Sequence, residues 1–235
     1  GPAEPALNLC LSLPAEGVEC DFACAPGNGE SVNKVVETAR DNGLEPVLSM
    51  HLSKHRNLAR NWRDRRILRG MLREGRYDLV HCHLDNDHNI AWKPAARAGL
   101  PLVRSSYHGD GFSDDRYHRT LARHMTVLVE PSRIAADHDV SVFGLERDRL
   151  PVIPGAVDTV RFDPSRDVPD GRRWLNIPQD TFVVGIVARM QTHRRYEVFF
   201  QVIRRLIDSG RTDVRAVVVG RGTKQETVGL QPVRD

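Results

Sequence analysis

The chain has 235 residues, 40% of them hydrophobic and 28% charged, with a formal net charge of +3. That balance belongs to a globular protein of one large or two smaller domains and excludes a disordered chain. No apolar run approaches the length of a membrane span, and no signal peptide is expected.

In chain order, residues 3–13 predict a helix with Leu7, Cys10 and Leu11 on one face, ended by Gly17. VECDFACAP predicts a strand that sets Cys20 and Cys24 on one face. With Cys10 and Cys82 they have neither disulfide nor zinc spacing, so all four read as free thiols of a reducing cytoplasm. Val32, Val35, Val36 and Ala39 keep helical spacing, with Gly43 placed to cap the helix, and EPVLSM predicts a short strand. From Lys54 to Arg76, nine Lys/Arg residues stand against Asp64 and Glu74 on a helix. Its apolar positions are Leu58, Trp62, Leu68, Met71 and Leu72. A strand over YDLVHCHL, a helix over 88–98 ended by Gly99, the strand PLVRSSYH and a helix over 116–124 follow. MTVLVEP predicts a strand, and Ser132 an N-cap for a helix to about Phe143. Strands alternating with helices predict a parallel, doubly wound α/β sheet.

Residues 163–180 shift to Pro, Asp and Gly and read as a linker, after which the β-α-β rhythm restarts at Phe182. Two Rossmann-like domains are therefore expected, 1–165 and 166–235, enclosing a cleft. The first lacks a strand before GPAE and the second stops after two strands, so the chain reads as an excerpt of a longer protein. The carboxyl edges of parallel strands bind ligands. Arg189 and Arg194 at one such edge point to a phosphate-bearing ligand.

HCHLDNDH offers a different chemistry. His81 and His83 share a strand face, and Asp85, Asp87 and His88 follow, which are donors suited to zinc, manganese or iron. On that reading the protein is a metal-dependent hydrolase using His81, His83, Asp85 and His88. A third reading is a non-catalytic α/β domain that binds a partner, or an anionic membrane surface through residues 54–76. Nucleic acid is not expected as a partner. Gly220-Arg221-Gly222 lacks the third glycine and the acid of a dinucleotide fingerprint.

Taken in order, the segments resemble the retaining glycosyltransferases of family four, which have the two-domain GT-B architecture. GPAEPALNLCLSLPAEGVECDFACAP is similar to that family's opening loop and first helix, and DLVHCHL and PLVRSSYHGDG to its central N-domain strands. VEPSRIAADH and VIPGAVDTVRFDP resemble the interdomain passage. VVGIVARMQTHRRYEVFF resembles the donor-phosphate segment, and RAVVVGRG the strand and turn after it. The resemblance implies a GT-B-like α/β fold of two Rossmann-like domains, the second incomplete. It implies a nucleoside-diphosphate sugar as co-substrate, no cofactor, no metal, and an acceptor that is a glycan, a lipid or a small molecule. Arg189 and Arg194, the latter where lysine is more usual, match the pair that holds the donor diphosphate. His108 matches the catalytic-site histidine facing the donor sugar, and Gly1 and Gly222 match donor-binding loops. His83 and Asp85 fall on the acceptor side. The family's paired-glutamate segment is expected beyond Asp235, so this stretch alone is expected to bind donor poorly. The expected location is the cytoplasm, peripherally on the inner face of the membrane.

Overall fold

The computed structural model describes residues 2–28, 31–160, 162–166, 169–220 and 222. The chain divides into two compact units, one ending at Val157 and the other beginning at Asp158; the composition shift in the sequence places the join at 165/166.

In the first unit α1 (Ala3–Ser12), a short antiparallel pair β1 (Gly27–Asn28) and β2 (Ser31–Val32), α2 (Lys34–Asp41) and α3 (Leu58–Arg73) precede a parallel sheet. Its strands are β3 (Val80–Cys82), β4 (Leu102–Ser105) and β5 (Val127–Val129), adjacent in that order and joined through α4 (Asp85–Ala98) and α5 (Arg116–Ala122). After β5 the chain forms α6 (Arg133–Phe143), and a single parallel bridge, Glu130 to Val152, extends the sheet. Parallel neighbours need crossovers, which α4 and α5 supply. Ala91 and Ala95 give α4 a small-residue face that packs with Cys82, Leu102 and Leu128 in the main core. A second cluster under α1 and α2 gathers Leu7, Cys10, Phe22 and Ala39.

Local chemistry sets the helix ends. Ser132 Oγ accepts the Ala135 amide at 3.0 Å and starts α6 where expected. The helix expected over 88–98 begins earlier, at Asp85. The Asp87 carboxylate accepts the amides of Leu84 (2.9 Å) and His83 (3.1 Å), which closes a first turn that apolar spacing does not reveal.

Two expected strands are not formed. VECDFACAP and EPVLSM meet only in the isolated parallel bridge Ala23 to Val47. Pro26 and Pro46 supply no amide to a ladder, and pairing stops at the Cys24 and Val47 amides. Cys20 and Cys24 are half-buried there, Cys10 and Cys82 are buried, and all four are free.

In the second unit α7 (Gly171–Trp174) is one turn inside the expected linker. Strand β6 (Phe182–Val187), helix α8 (Tyr196–Asp208) and strand β7 (Val214–Val219) then form a βαβ unit. The strands pair in parallel from Phe182–Val214 to Val187–Val219. Just past them the two chains crowd together: a Cβ on Gly220 would lie 1.8 Å from the Ala188 carbonyl oxygen, which also accepts the Tyr196 hydroxyl at 2.7 Å. Glycine is the residue that fits there. Among the described residues no helix is long and apolar enough to cross a membrane.

Candidate functional site

At the carboxyl ends of β3 and β4 lies a cavity of about 550 Å3. Leu84 and Asp85 reach it from the turn into α4, Tyr107 and His108 from the loop after β4, and Lys54 and His55 from the loop before α3, beside Pro2. Asp85 and His108, far apart in sequence, therefore share one wall.

Asp85 is the most constrained of these groups. Its Oδ1 accepts Arg104 Nη2 at 2.7 Å, and its Oδ2 lies 3.6 Å from His118 Nε2. The hydrogen bond with His118, and then the Arg104 charge, hold its carboxyl below the ordinary range. At neutral pH it is a fixed anionic acceptor suited to a substrate hydroxyl. Arg104 is buried on β4, its guanidinium 5.7 Å from the Phe112 ring centroid. His108 is exposed; its amide donates to Ser106 Oγ at 3.3 Å, and its ring meets the edge of Phe112 at 5.8 Å.

His83 stands behind the wall. Its ring stacks on His81 at 4.3 Å and its Nδ1 lies 2.8 Å from the Tyr107 hydroxyl, so it orients a cavity residue. Burial lowers its pKa to about 3 and that of His81 to about 4, with the Arg104 charge adding in both cases. Both imidazoles are neutral at physiological pH.

The metal expectation fails on geometry. Asp85 is committed to Arg104, and Asp87 to the backbone amides of His83 and Leu84. His88 is fully buried. Among the described residues no group of three His, Cys, Asp or Glu side chains is placed to hold a metal ion.

In the second unit Arg189 follows β6 and Arg194 lies in the 3-10 turn Thr192–Arg194 just before α8; both are exposed. Gln191 ties the loop together: its amide donates to the Arg189 carbonyl, and its carbonyl accepts the Arg194 amide, each at 2.9 Å. Arg195, at φ 54°, is taken by Glu197 at 2.5 Å. Arg189 and Arg194 have no ion pair among the described residues. The amino end of the 13-residue helix α8 adds partial positive charge beside them. Gly222 lies beyond β7 and is half-buried, and Gly1 lies outside the described residues.

Sequence reasoning missed Arg104, His118, Glu130 and Asp139, all of which bear on this site. The signal for two of them is a charged residue inside or ending an apolar strand run, Arg104 in PLVRSS and Glu130 in MTVLVEP.

Comparison with known proteins bears on the family and the fold. The chain is 27% identical over 180 residues to a D-inositol 3-phosphate glycosyltransferase of Actinosynnema mirum, covering 66% of this chain and 43% of that one. It thus spans less than half the length of the curated relatives it matches. Anabaena Alr3699/HepE, solved in complex with UDP and glucose, superposes with a TM-score of 0.75 at 16% identity, over 100% of this chain and 61% of that one. The UDP-N-acetylglucosamine 2-epimerase of Rickettsia bellii superposes at 0.59 and 12% identity, covering 96% and 61%. A glycosyltransferase of Rickettsia africae superposes at 0.69 and 11% identity, covering 96% and 66%. Glycosyltransferase and epimerase alike share this fold, so these likenesses establish a GT-B-like α/β fold with Rossmann-like parallel sheets and nothing finer. The family is decided by sequence: the model described as Glycosyltransferase Family 4 matches residues 4–161, more than half of the chain. The chain belongs to glycosyltransferase family 4.

Proposed function

We propose that the complete protein transfers a sugar from a nucleoside-diphosphate sugar, with retention of configuration, to a hydroxyl acceptor held at the Asp85–His108 cavity. The observation that carries this reading is the pair of exposed guanidinium groups, Arg189 and Arg194, without an ion pair among the described residues, on one loop between the end of β6 and the start of α8. As the bond from the anomeric carbon to the donor phosphate breaks, negative charge grows on the leaving diphosphate. Fixed, forked cations stabilise that charge where it develops. His108 contacts the transferred sugar, and Gly222 belongs to the donor loop. Asp85 accepts a hydrogen bond from the attacking hydroxyl and orients it. The hydroxyl's proton passes to a departing phosphate oxygen as the new glycosidic bond forms, so no side-chain nucleophile is used. No resident cofactor enters this scheme.

UDP is the first nucleotide to test, because HepE of the same fold was solved with it. The Actinosynnema relative's name points to a phosphorylated polyol as acceptor. Lys54 and His55 beside the cavity suit an anionic group, and Asp85 suits hydroxyls. The test is turnover of UDP-sugars by the full-length protein, with the product anomer read by proton NMR. Transfer with retention is expected; an inverted product, or no transfer from any nucleoside-diphosphate sugar, would overturn the proposal.

The same reading places the protein in the cytoplasm, resting on an anionic leaflet through α3. Asp64 is buried, accepting the amides of His51 and Leu52 at 2.9 and 3.0 Å, so its carboxylate lies off the exposed face of the helix. Arg63, Arg66 and Arg73 are exposed together with Trp62 and Leu58. Each cation near an anionic surface is worth about 1 kcal/mol. Sedimentation with phosphatidylserine vesicles should therefore be lost on reversing Arg63 and Arg66 to Glu.

A further inference from the structure

Glu130, directly after β5, and Asp139, on α6, are both fully buried. Asp139 Oδ1 accepts the Phe112 amide at 2.9 Å and lies 2.8 Å from His138 Nδ1. Asp139 Oδ2 and both Glu130 oxygens are buried and have no hydrogen-bond partner among the described residues. A buried carboxylate without a donor is strongly unfavourable, and such a group takes up a proton instead. For two adjoining acids one proton satisfies both: the protonated carboxyl donates its O–H to the other's carboxylate. The other groups facing the pair are Arg104 on β4, Ser106 just beyond it and His138 on α6. Burial first, and then the charge of Asp139, push Glu130 up to about 8, against the lowering influence of Ser106 and Arg104.

The pair reaches the His108 loop from both sides. Ser106, which faces Glu130, accepts the His108 amide at 3.3 Å. On the other side Asp139 holds the Phe112 amide, and Gly111 packs so closely that a Cβ there would lie 2.4 Å from Asp139 Oδ1. Ser132 Oγ, at the start of the same helix, donates to the Gly109 carbonyl at 3.1 Å.

We propose that Glu130 and Asp139 share a single proton beneath this loop and act as a positioning pair for His108. Loss of that proton leaves two facing carboxylates and one buried cation, Arg104, which binds Asp85 through Nη2 while its Nε and Nη1 have no hydrogen-bond partner among the described residues. The two anchors of the loop then repel each other and His108 leaves its place on the cavity wall. The catalytic consequence rests on the proposed role of His108, whereas the shared proton does not.

The experiment is Glu130→Gln in the full-length protein, because the glutamine amide supplies Asp139 with a donor at every pH. Amide hydrogen exchange over 106–112, corrected for its intrinsic pH dependence, should accelerate above pH 8 in the wild type and stay flat in the variant. With UDP-glucose as donor, wild-type kcat should fall roughly thirtyfold between pH 7 and 9.5, as expected for one group titrating near 8. The variant should match the wild type within about twofold at pH 7 and lose this alkaline limb. Should Glu130→Gln fail to fold, Asp139→Asn, which also leaves a single carboxylate, is expected to flatten both profiles. Parallel exchange profiles in wild type and variant would overturn the proposal. Divergent exchange with identical kcat profiles would overturn the role of His108 and keep the shared proton.

Discussion

Two glycines in the His108 loop should respond very differently to the same substitution. Gly111 has φ +86°, and an added Cβ would stand 2.4 Å from Asp139 Oδ1 and 2.5 Å from His138 Nδ1. Asp139 cannot retreat, since it is fully buried and its Oδ1 already holds the Phe112 amide. Gly111→Ala should then cost about 1–2 kcal/mol for the left-handed backbone. Overpacking against a buried side chain adds about 1–3 kcal/mol. Gly109, two residues earlier, has nothing within 4 Å of its would-be Cβ, so Gly109→Ala should change stability by no more than about 0.5 kcal/mol. At roughly 2–4 °C per kcal/mol, thermal denaturation of the full-length protein should show Gly111→Ala melting about 5–15 °C lower. Sugar transfer should fall in parallel, because the loop that carries His108 is pushed off α6. Equal melting temperatures for the two variants would refute the idea that α6 clamps this loop.

Ser132→Ala removes both the α6 cap and the bond to the Gly109 carbonyl, for a combined loss of about 2 kcal/mol by denaturant titration. Ser132→Thr, which keeps the hydroxyl, should recover most of it. His118 tests the electrostatics around Asp85. Hydrogen bonding to Asp85, and then to Asp115, raises its pKa above the ordinary 6.5. The folded state thus binds the proton more tightly, so the stabilisation is complete below pH 6.5 and is lost as pH rises through the folded value. His118→Gln should therefore melt well below the wild type at pH 5.5 and converge with it in mildly alkaline solution. A constant gap across that range would show that the proton on His118 contributes nothing.

Much of this was legible in the order of residues. Helices α1, α2, α6 and α8 follow from apolar spacing and caps such as Ser132, because those signals act within a few residues. Arg189 and Arg194 could be singled out because a strand, a short loop and an amphipathic helix occur consecutively. The failed strands around Ala23 and Val47 show the limit of alternation: a ladder needs amide donors along its length, and Pro26 and Pro46 withhold them. The candidate ligands of HCHLDNDH looked like a metal site because their partners lie elsewhere in the chain. Arg104 claims Asp85 across 19 residues, and Tyr107 meets His83 across 24. The burial of both Glu130 and Asp139 depends on how α6 packs after β5, which no local pattern encodes.

The reading of this chain as a donor-binding transferase depends above all on the loop between β6 and α8. Calorimetric titration of UDP into the full-length protein, comparing wild type with Arg189→Ala, Arg194→Ala and the double variant, tests it most directly. A charge-assisted hydrogen bond is worth about 1.5–3 kcal/mol, so each single change should weaken binding by about 10- to 100-fold. The double variant should lose detectable binding while melting within 1–2 °C of the wild type, as expected for two exposed side chains (roughly ±0.5 kcal/mol). An unaltered Kd in the double variant would contradict the account.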